Sequence, residues 1–354
     1  MTALPVLDLT AFRTDPASPA AGAFVDALRE ICHEVSFFYL AGHGIAPGLE
    51  ADVVAQSLAF FDLPEADRLG VENVKSPAFR GYTRTGGEYT AGRPDRRDQL
   101  DIGPEDPEPV LGEGDPAWLR MRGPNLWPAA LPGLRAAVEP WVEQMQTTGT
   151  TLMRALALAL GQPAEFFAPI VDPRPDFRLK IIRYPATDPS SGGDDSGTDP
   201  DTDPGTDGAH RQGVGAHRDT GFMSMILQDD VGGLQVERDG AWVDVPRVPG
   251  TYVVNLGEMV QLLTHGYFRA AVHRVLSPPP GVDRLSVAYF HNPALHATLT
   301  PVDLPPDLAA LAPGGGSTDP SNPILASFGL NTLKVRLRSH PDVAARWHAD
   351  LLGR

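Results

Sequence analysis

The chain has 354 residues and a formal net charge of −16 at pH 7. That balance lacks the basic face on which phosphate-backbone readers depend, so no nucleic-acid partner is expected. Hydrophobic residues make up 42% of the chain, enough for a core, and 36 prolines beside 36 glycines favour turns and short strands over a helical bundle.

The single cysteine, Cys32, excludes an intramolecular disulfide and suits a reducing, cytoplasmic setting. It falls in the apolar series Phe24, Leu28, Ile31, Cys32, Val35 and reads as a buried small hydrophobe. The first residues show no basic stretch leading into an apolar one, so no signal peptide is expected. No apolar run reaches the roughly 18 residues a membrane span needs, so no membrane partner is expected.

Pro5 to Leu9 reads as a short strand, Ala20 to Glu34 as a helix, and Ser36 to Leu40 as an aromatic strand closed by Gly42-His43-Gly44. A second helix runs from Pro47 to Phe61, with proline at its first turn. Residues 76–116 look irregular and mix glycines, aromatics and charges, in Phe79-Arg80-Gly81-Tyr82 and again in Gly87-Glu88-Tyr89-Thr90. That mix predicts a lid or pocket wall. Leu134 to Leu160 repeats apolar residues every three or four positions and stops at Gly161 and Pro163, which predicts a long core helix.

After Arg178 the period changes to that of a strand, ending at Tyr184-Pro185. The segment from Thr187 to His210 is dense in Asp, Gly, Ser, Thr and Pro and reads as a solvated acidic insertion, spanning 187–212 at its widest. Short apolar runs at Met223–Gln228, Leu234–Glu237, Trp242–Val245 and Tyr252–Asn255 follow, separated by Gly232-Gly233, Asp239-Gly240 and Pro249-Gly250. These predict a sandwich or barrel. From Leu325 onward the chain returns to helix and carries Arg336, Arg338 and Arg346. The expected organisation is an N-terminal mixed α/β region with pocket loops over 1–120 and support helices over 121–175. A β core over 176–295 and a C-terminal helical region over 296–354 complete it.

The chemistry concentrates in Gly215-Ala216-His217-Arg218-Asp219-Thr220-Gly221. On an extended segment, residues two apart face the same way, so His217 and Asp219 converge while Arg218 points outward. Two histidines and one carboxylate leave open positions on a non-haem Fe(II). Such a pair alone is weak, and the second histidine has to come from elsewhere. His273, in the short β-branched run Ala271-Val272-His273-Arg274-Val275, is the candidate. Further on, Arg284 and Ser286 again share one strand face. A guanidinium buried in a barrel needs an anion. Either a ligand carboxylate or an acidic residue of another strand can meet that need. His43, His265, His291, His296 and His340 lack a partner at ligand spacing and read as structural or surface residues.

Taken together, His217-x-Asp219, Gly232-Gly233-Leu234-Gln235-Val236, Asn255-Leu256-Gly257-Glu258-Met259, His273-Arg274-Val275 and Arg284-x-Ser286 followed by Tyr289-Phe290-x-Asn292-Pro293 resemble the isopenicillin N synthase-like branch of the Fe(II)/2-oxoglutarate-dependent oxygenases. Pro5-Val6-Leu7-Asp8-Leu9 and Gly42-His43-Gly44 resemble the N-terminal region of that family. The resemblance implies a mainly β fold, a double-stranded β-helix or jelly roll flanked by helices. It implies Fe(II) held by His217, Asp219 and His273, and 2-oxoglutarate held at its distal carboxylate by Arg284 and Ser286. Tyr184 is implied as a further carboxylate contact; Ile182, two before it, stands where plant members often carry Asn. The implied reaction is oxidation of a C–H bond of a small molecule with O2, by hydroxylation, desaturation or ring closure, releasing succinate and CO2.

For the substrate, the loop Glu88-Tyr89-Thr90-Ala91-Gly92-Arg93-Pro94-Asp95 resembles that of bacterial ethylene-forming enzymes. This implies Glu88 against a guanidinium and Arg338 against an amino-acid carboxylate, with Lys180 where those enzymes have Arg. Arg80, Tyr82, Thr90, Thr220 and Phe290 complete the expected substrate wall, Thr220 at its mouth. The implied substrate is amino-acid-like or another small polar molecule. Two other readings stay open. One is an oxidase of the same fold that does not use 2-oxoglutarate; the other is a non-enzymatic metal-binding jelly-roll sensor. The sequence sets no oligomeric state.

Overall fold

The computed structural model describes residues 4–90, 92–186, 212–314 and 323–352. The acidic insertion read from the sequence lies outside these residues except for Gln212, which opens a strand. Two β-sheets face each other. The larger has eight strands in the order Val6–Asp8, Phe37–Ala41, Tyr252–Leu256, Met223–Gln228, Arg284–Asn292, Asp176–Tyr184, Asp98–Ile102 and Gly81–Thr83. The smaller has four, in the order Ala241–Asp244, Leu234–Arg238, His273–Leu276 and Gln212–His217. Apart from the parallel pair at the N-terminal edge, the pairings in both sheets are antiparallel.

Period-two alternation decides what each sheet face does. On the Arg284–Asn292 strand, Leu285, Val287 and Tyr289 join the core under the helices. Arg284, Ser286, Ala288, Phe290 and Asn292 face the other way and line a cavity between the sheets. The neighbouring strand repeats the rule, with Leu179 and Ile181 in the helix-side core and Arg178, Lys180, Ile182 and Tyr184 lining the cavity. Beneath the large sheet runs the helix Gly133–Ala159, whose Trp141 is fully buried and donates from Nε1 to the Tyr252 hydroxyl at 3.1 Å. The helices Pro19–Glu34 and Pro47–Phe61 pack against it.

The expected helices and strands form close to their expected bounds. The Asp239-Gly240 turn takes positive φ at both residues, 53° and 77°, and joins a hairpin in which Arg238 pairs with Ala241. Residues 76–116 depart from the irregular reading. They contain the strands Gly81–Thr83 and Asp98–Ile102, which extend the large sheet, and a small hairpin of Tyr89–Thr90 with Arg93–Pro94. Asp98-Gln99-Leu100-Asp101-Ile102 is buried throughout. Its polar residues hide it from a hydrophobic-pattern reading, because they face charged partners instead of apolar ones. Among the described residues no helix is long and apolar enough to cross a membrane.

At Gly149 the long helix lies close against the sheet. A Cβ there would lie 2.5 Å from Nδ1 and 2.6 Å from Cγ of the buried His291. Helix propensity favours Gly→Ala by about 1 kcal/mol, but forced overpacking costs about 1–3 kcal/mol. Gly149→Ala is therefore expected to lower the urea-unfolding midpoint. Gly22→Ala, on a helix position with nothing within 4 Å of the new Cβ, is expected to raise it. A rise for both variants would show that the helix is not held against His291.

Candidate active site

The smaller sheet sets the two histidines side by side. His273 and His217 are direct cross-strand partners, with ring centroids 4.3 Å apart. Asp219 follows the end of the Gln212–His217 strand, and its Oδ1 lies 3.6 Å from His217 Nε2 and 3.8 Å from His273 Nε2. The three ligand-type atoms all lie within 4.8 Å of one another, and this is the one such cluster of His, Cys, Asp and Glu among the described residues.

Each histidine is oriented by its other nitrogen. His217 Nδ1 meets the Gly215 carbonyl at 2.8 Å, and His273 Nδ1 meets that of Ala271 at 3.3 Å. A carbonyl only accepts, so both Nδ1 atoms carry hydrogen and both Nε2 lone pairs are left for the common point. The carboxylate is held from the opposite sheet. Asn255 Nδ2 donates to Asp219 Oδ2 at 2.7 Å, and Ser224 Oγ donates to Asn255 Oδ1. Gly257 permits this closeness: a Cβ there would meet the carbonyl oxygens of Gly221 at 2.2 Å and Asp219 at 2.8 Å.

The protonation states suit a divalent cation. Burial, with His217 beside it, pushes His273 down to about 4, so its imidazole is neutral at pH 7. Burial alone would raise the Asp219 pKa; His273, His217 and the Asn255 hydrogen bond outweigh it and hold the carboxylate well below its usual range. Burial also opposes charge on His217, but the Asp219 hydrogen bond and charge prevail and raise its pKa. Two neutral-capable imidazoles and one ionised carboxylate fit a facial Fe(II) triad.

The triad opens on a cavity of about 960 Å³. At one end lies Arg284, 1% exposed. Its Nε donates to the Val231 carbonyl and its Nη2 to Gln228 Oε1, both at 3.1 Å, and its guanidinium sits 4.9 Å from the Tyr184 ring centroid. Nη1 is buried with no hydrogen-bond partner. No carboxylate among the described residues forms an ion pair with Arg284; Asp229, just past the end of the neighbouring strand, acts on it electrostatically from farther away. An orphaned guanidinium nitrogen beside Ser286, on the cavity lining, fits the distal carboxylate of a 2-oxo acid.

Of the residues expected on the substrate wall, Glu88, Thr90, Lys180, Thr220, Phe290 and Arg338 line the cavity. Two expectations need correction. Tyr82 faces away from the cavity: its ring packs against Phe60 at 5.8 Å, and its hydroxyl accepts from Arg68. Arg80 lies behind the wall, lining a pocket of about 10 Å³ with Asp176, Arg178 and Arg336. The pairing of Tyr82 with Leu100 turns its ring into the core on the helix side of the sheet. Arg218 also departs from the outward reading, since it lines the cavity edge with its Nε on the Ala270 carbonyl at 3.0 Å.

Glu88 does not stand free. Both of its oxygens accept from Lys180 Nζ, at 2.7 and 2.8 Å, and Oε2 also accepts from Arg97 at 2.8 Å. Burial alone would raise the Glu88 pKa, but Lys180 and Arg97 hold it well below the usual carboxylate value. Asn255, Ser224, Gln228, Arg97, Arg178 and Arg336 are assigned no role by the sequence reading. The alternation Arg178, Lys180, Ile182, Tyr184 is the signal that could have found Arg178.

Comparison with known proteins agrees with this geometry. Residues 4–130 match the model of the N-terminal region of non-haem dioxygenases, described as non-haem dioxygenase in morphine synthesis N-terminal, and residues 179–293 match the 2OG-Fe(II) oxygenase superfamily. A 2-oxoglutarate-dependent dioxygenase of Dothideomycetidae sp., frbJ, is 35% identical over 97% of this chain and 91% of its own length. A homoarginine-6-hydroxylase of Oryza sativa subsp. japonica is 32% identical over 79% of this chain and 80% of its own. The crystal structure of a full-length Neurospora crassa protein in complex with alpha-KG superposes with a TM-score of 0.70 at 25% identity, covering 93% of this chain and 95% of that one. The chain belongs to the 2-oxoglutarate- and Fe(II)-dependent oxygenase superfamily, and it is an oxidoreductase of the 2-oxoglutarate-dependent dioxygenase type.

Proposed function

We propose that this dioxygenase oxidises a C–H bond of a small polar, amino-acid-like molecule, with His217, Asp219 and His273 holding Fe(II) and Arg284 with Ser286 holding 2-oxoglutarate. The observation that carries the reading is the pairing of a three-ligand cluster with a buried, unpartnered Arg284 Nη1 in one cavity. Fe(II) with 2-oxoglutarate and O2 supplies the oxidising power when bound, leaving succinate and CO2.

The chain's own residues bind, orient and exclude water. Arg284 and Ser286 fix one end of the 2-oxo acid at the closed end of the cavity. Tyr184, stacked on Arg284, covers that guanidinium and keeps its charge out of water. Asn255 would fix the carboxylate that helps hold the metal, in the cavity that Phe290 also lines. The 35% identical relative named a 2-oxoglutarate-dependent dioxygenase favours the 2-oxo acid over an oxidase that does without one. An amino-acid-like substrate is supported by the rice relative named for homoarginine and by the charged wall of Glu88, Lys180, Arg178 and Arg338. Because Glu88 already accepts three hydrogen bonds, a cationic substrate group would compete there with Lys180 and Arg97. A single buried cysteine supports action in a reducing, cytoplasmic compartment.

Anaerobic addition of 2-oxoglutarate to the Fe(II)-loaded protein should produce a visible charge-transfer band. Arg284→Gln should shift the midpoint of that titration about a hundredfold, the loss of a buried charge-assisted pair. A metal-loaded wild type that shows no band, and forms no succinate, would sink the reading. Asn255→Ala should weaken metal binding about 10–100-fold, because the ligand carboxylate loses its orienting donor. Direct competition with a fluorescent chelator reads this; equal affinity in variant and wild type would remove Asn255 from the metal site. Glu88→Gln strips the charge that Lys180 and Arg97 share and should cost about 3 kcal/mol of stability. A calorimetric melt within a degree of wild type would argue that the two cations relax to other partners.

A further inference from the structure

Arg178 is the cation of the cavity wall that the charge pattern leaves over. It lines the cavity, its Nε is buried without a partner, and among the described residues it makes no hydrogen bond and no ion pair. Two carboxylates act on it electrostatically, Asp101 and Asp176, and two guanidiniums oppose it, Arg336 and Arg80. Asp101 is already committed, accepting from Arg336 Nη2 at 2.8 Å and from Gln99 Nε2 at 2.6 Å. Burial pushes the Asp176 pKa upward, which weakens the one carboxylate left. Three guanidiniums thus meet two carboxylates, an excess of one positive charge. The neighbouring group balances: Lys180 and Arg97 stand against Glu88 and Asp95. Burial and the repulsion of Arg336 push even the Arg178 guanidinium down to about 9. Arg178 is half-buried, and its buried, unpartnered Nε is costly; an anion from outside the chain would offset that cost.

Its position says what that is. Asn255 pairs with Ser224, Ser224 with Phe290, and Phe290 with Arg178, so these four residues form one row across the large sheet. Asn255 holds Asp219 at one end of the row. Three strand spacings of ~4.8 Å put Arg178 ~14 Å from Asn255 along it. Arg284 lies six residues along the strand from Phe290, ~20 Å away at ~3.3 Å per residue. The triad therefore has one guanidinium down the barrel and another across it. The 2-oxo acid takes the first. We propose that Arg178 is the anchor for a carboxylate on the substrate, a positioning residue that sets which carbon faces the triad; this rests on the oxygenase reading above. Arg338, the residue implied for that carboxylate by resemblance, is exposed at the rim, where a solvated ion pair contributes little.

The test pairs each of a panel of L-amino acids, L-homoarginine among them, with the amine that lacks its carboxylate. Succinate formation is followed in wild type, Arg178→Gln, Arg178→Lys and Arg178→Glu, and the anaerobic charge-transfer band reports that each variant is folded and loaded. An acid should accelerate succinate formation in wild type where its amine does not. In Arg178→Gln the KM for that acid should rise about a hundredfold, with the Lys variant between the two. Arg178→Glu should prefer the amine. The proposal falls if wild type treats acid and amine alike, if no acid accelerates it, or if Arg178→Gln keeps the wild-type KM. Absence of the band from wild type would instead bring down the oxygenase reading.

Discussion

The site depends on one hydrogen bond that crosses between the sheets. His217 and His273 are neighbours on the small sheet by strand pairing alone, and their relative position needs nothing further. Asp219 lies beyond the end of that sheet, where a chain end would ordinarily wander. Asn255, on the large sheet, takes its Oδ2 and is itself held by Ser224 from the adjoining strand. The main chain repeats the link, since Glu258 N donates to the Asp219 carbonyl at 2.7 Å. The carboxylate of the cluster is thus fixed by the sheet opposite the two imidazoles. Loosening the packing of one sheet on the other would move the carboxylate relative to the imidazoles and leave each strand intact.

The cavity between the sheets is polar in a way that barrels seldom tolerate. Its wall carries Arg97, Lys180, Arg284 and Arg336, all buried, and Arg178, half-buried. Most are neutralised locally: Lys180 and Arg97 by Glu88, and Arg336 by Asp101. Two are not. Arg284 keeps a buried Nη1 unpartnered and Arg178 a buried Nε. Low dielectric makes both expensive when empty and strongly attractive to carboxylates. Selectivity for anionic ligands follows from where the internal pairs stop.

The sequence made the core of the site legible because strand chemistry is local. Period two puts His217 with Asp219 and Arg284 with Ser286 on one face each; it holds along the second strand, whereas the first ends at His217 and Arg218 lines the cavity as Asp219 does. The partner of the first pair, His273, stood out only by its β-branched run, since nothing in the intervening chain says which strands will touch. The polar strand Asp98–Ile102 was missed for a related reason. Its Asp98 pairs with Arg183 and its Asp101 with Arg336, 85 and 235 residues away. A pattern method sees only uncompensated charge there and reads a loop. Tyr82 failed in the opposite direction: an aromatic in a glycine-rich stretch looks like a pocket wall, but its strand pairs so that the ring enters the core.

Those long-range pairs also tie the cavity wall to the C-terminal helix. Phe328–Ser339 is a surface helix whose Phe328, Thr332, Val335 and Arg336 line the cavity. Arg336 reaches Asp101 on the large sheet, and His340, just past the helix end, lies 4.0 Å from Glu88. Glu88 in turn holds Lys180 on the strand beside that of Arg284. Burial drives the His340 pKa to about 3, so it is neutral here and adds no charge to this chain of contacts. Arg336 thus fastens the helix to the sheet by its charge. A ligand carboxylate entering beside Arg178 would meet the same guanidinium. Substrate binding and the docking of this helix draw on one shared positive charge, so an anion in the cavity would compete with Asp101 for Arg336.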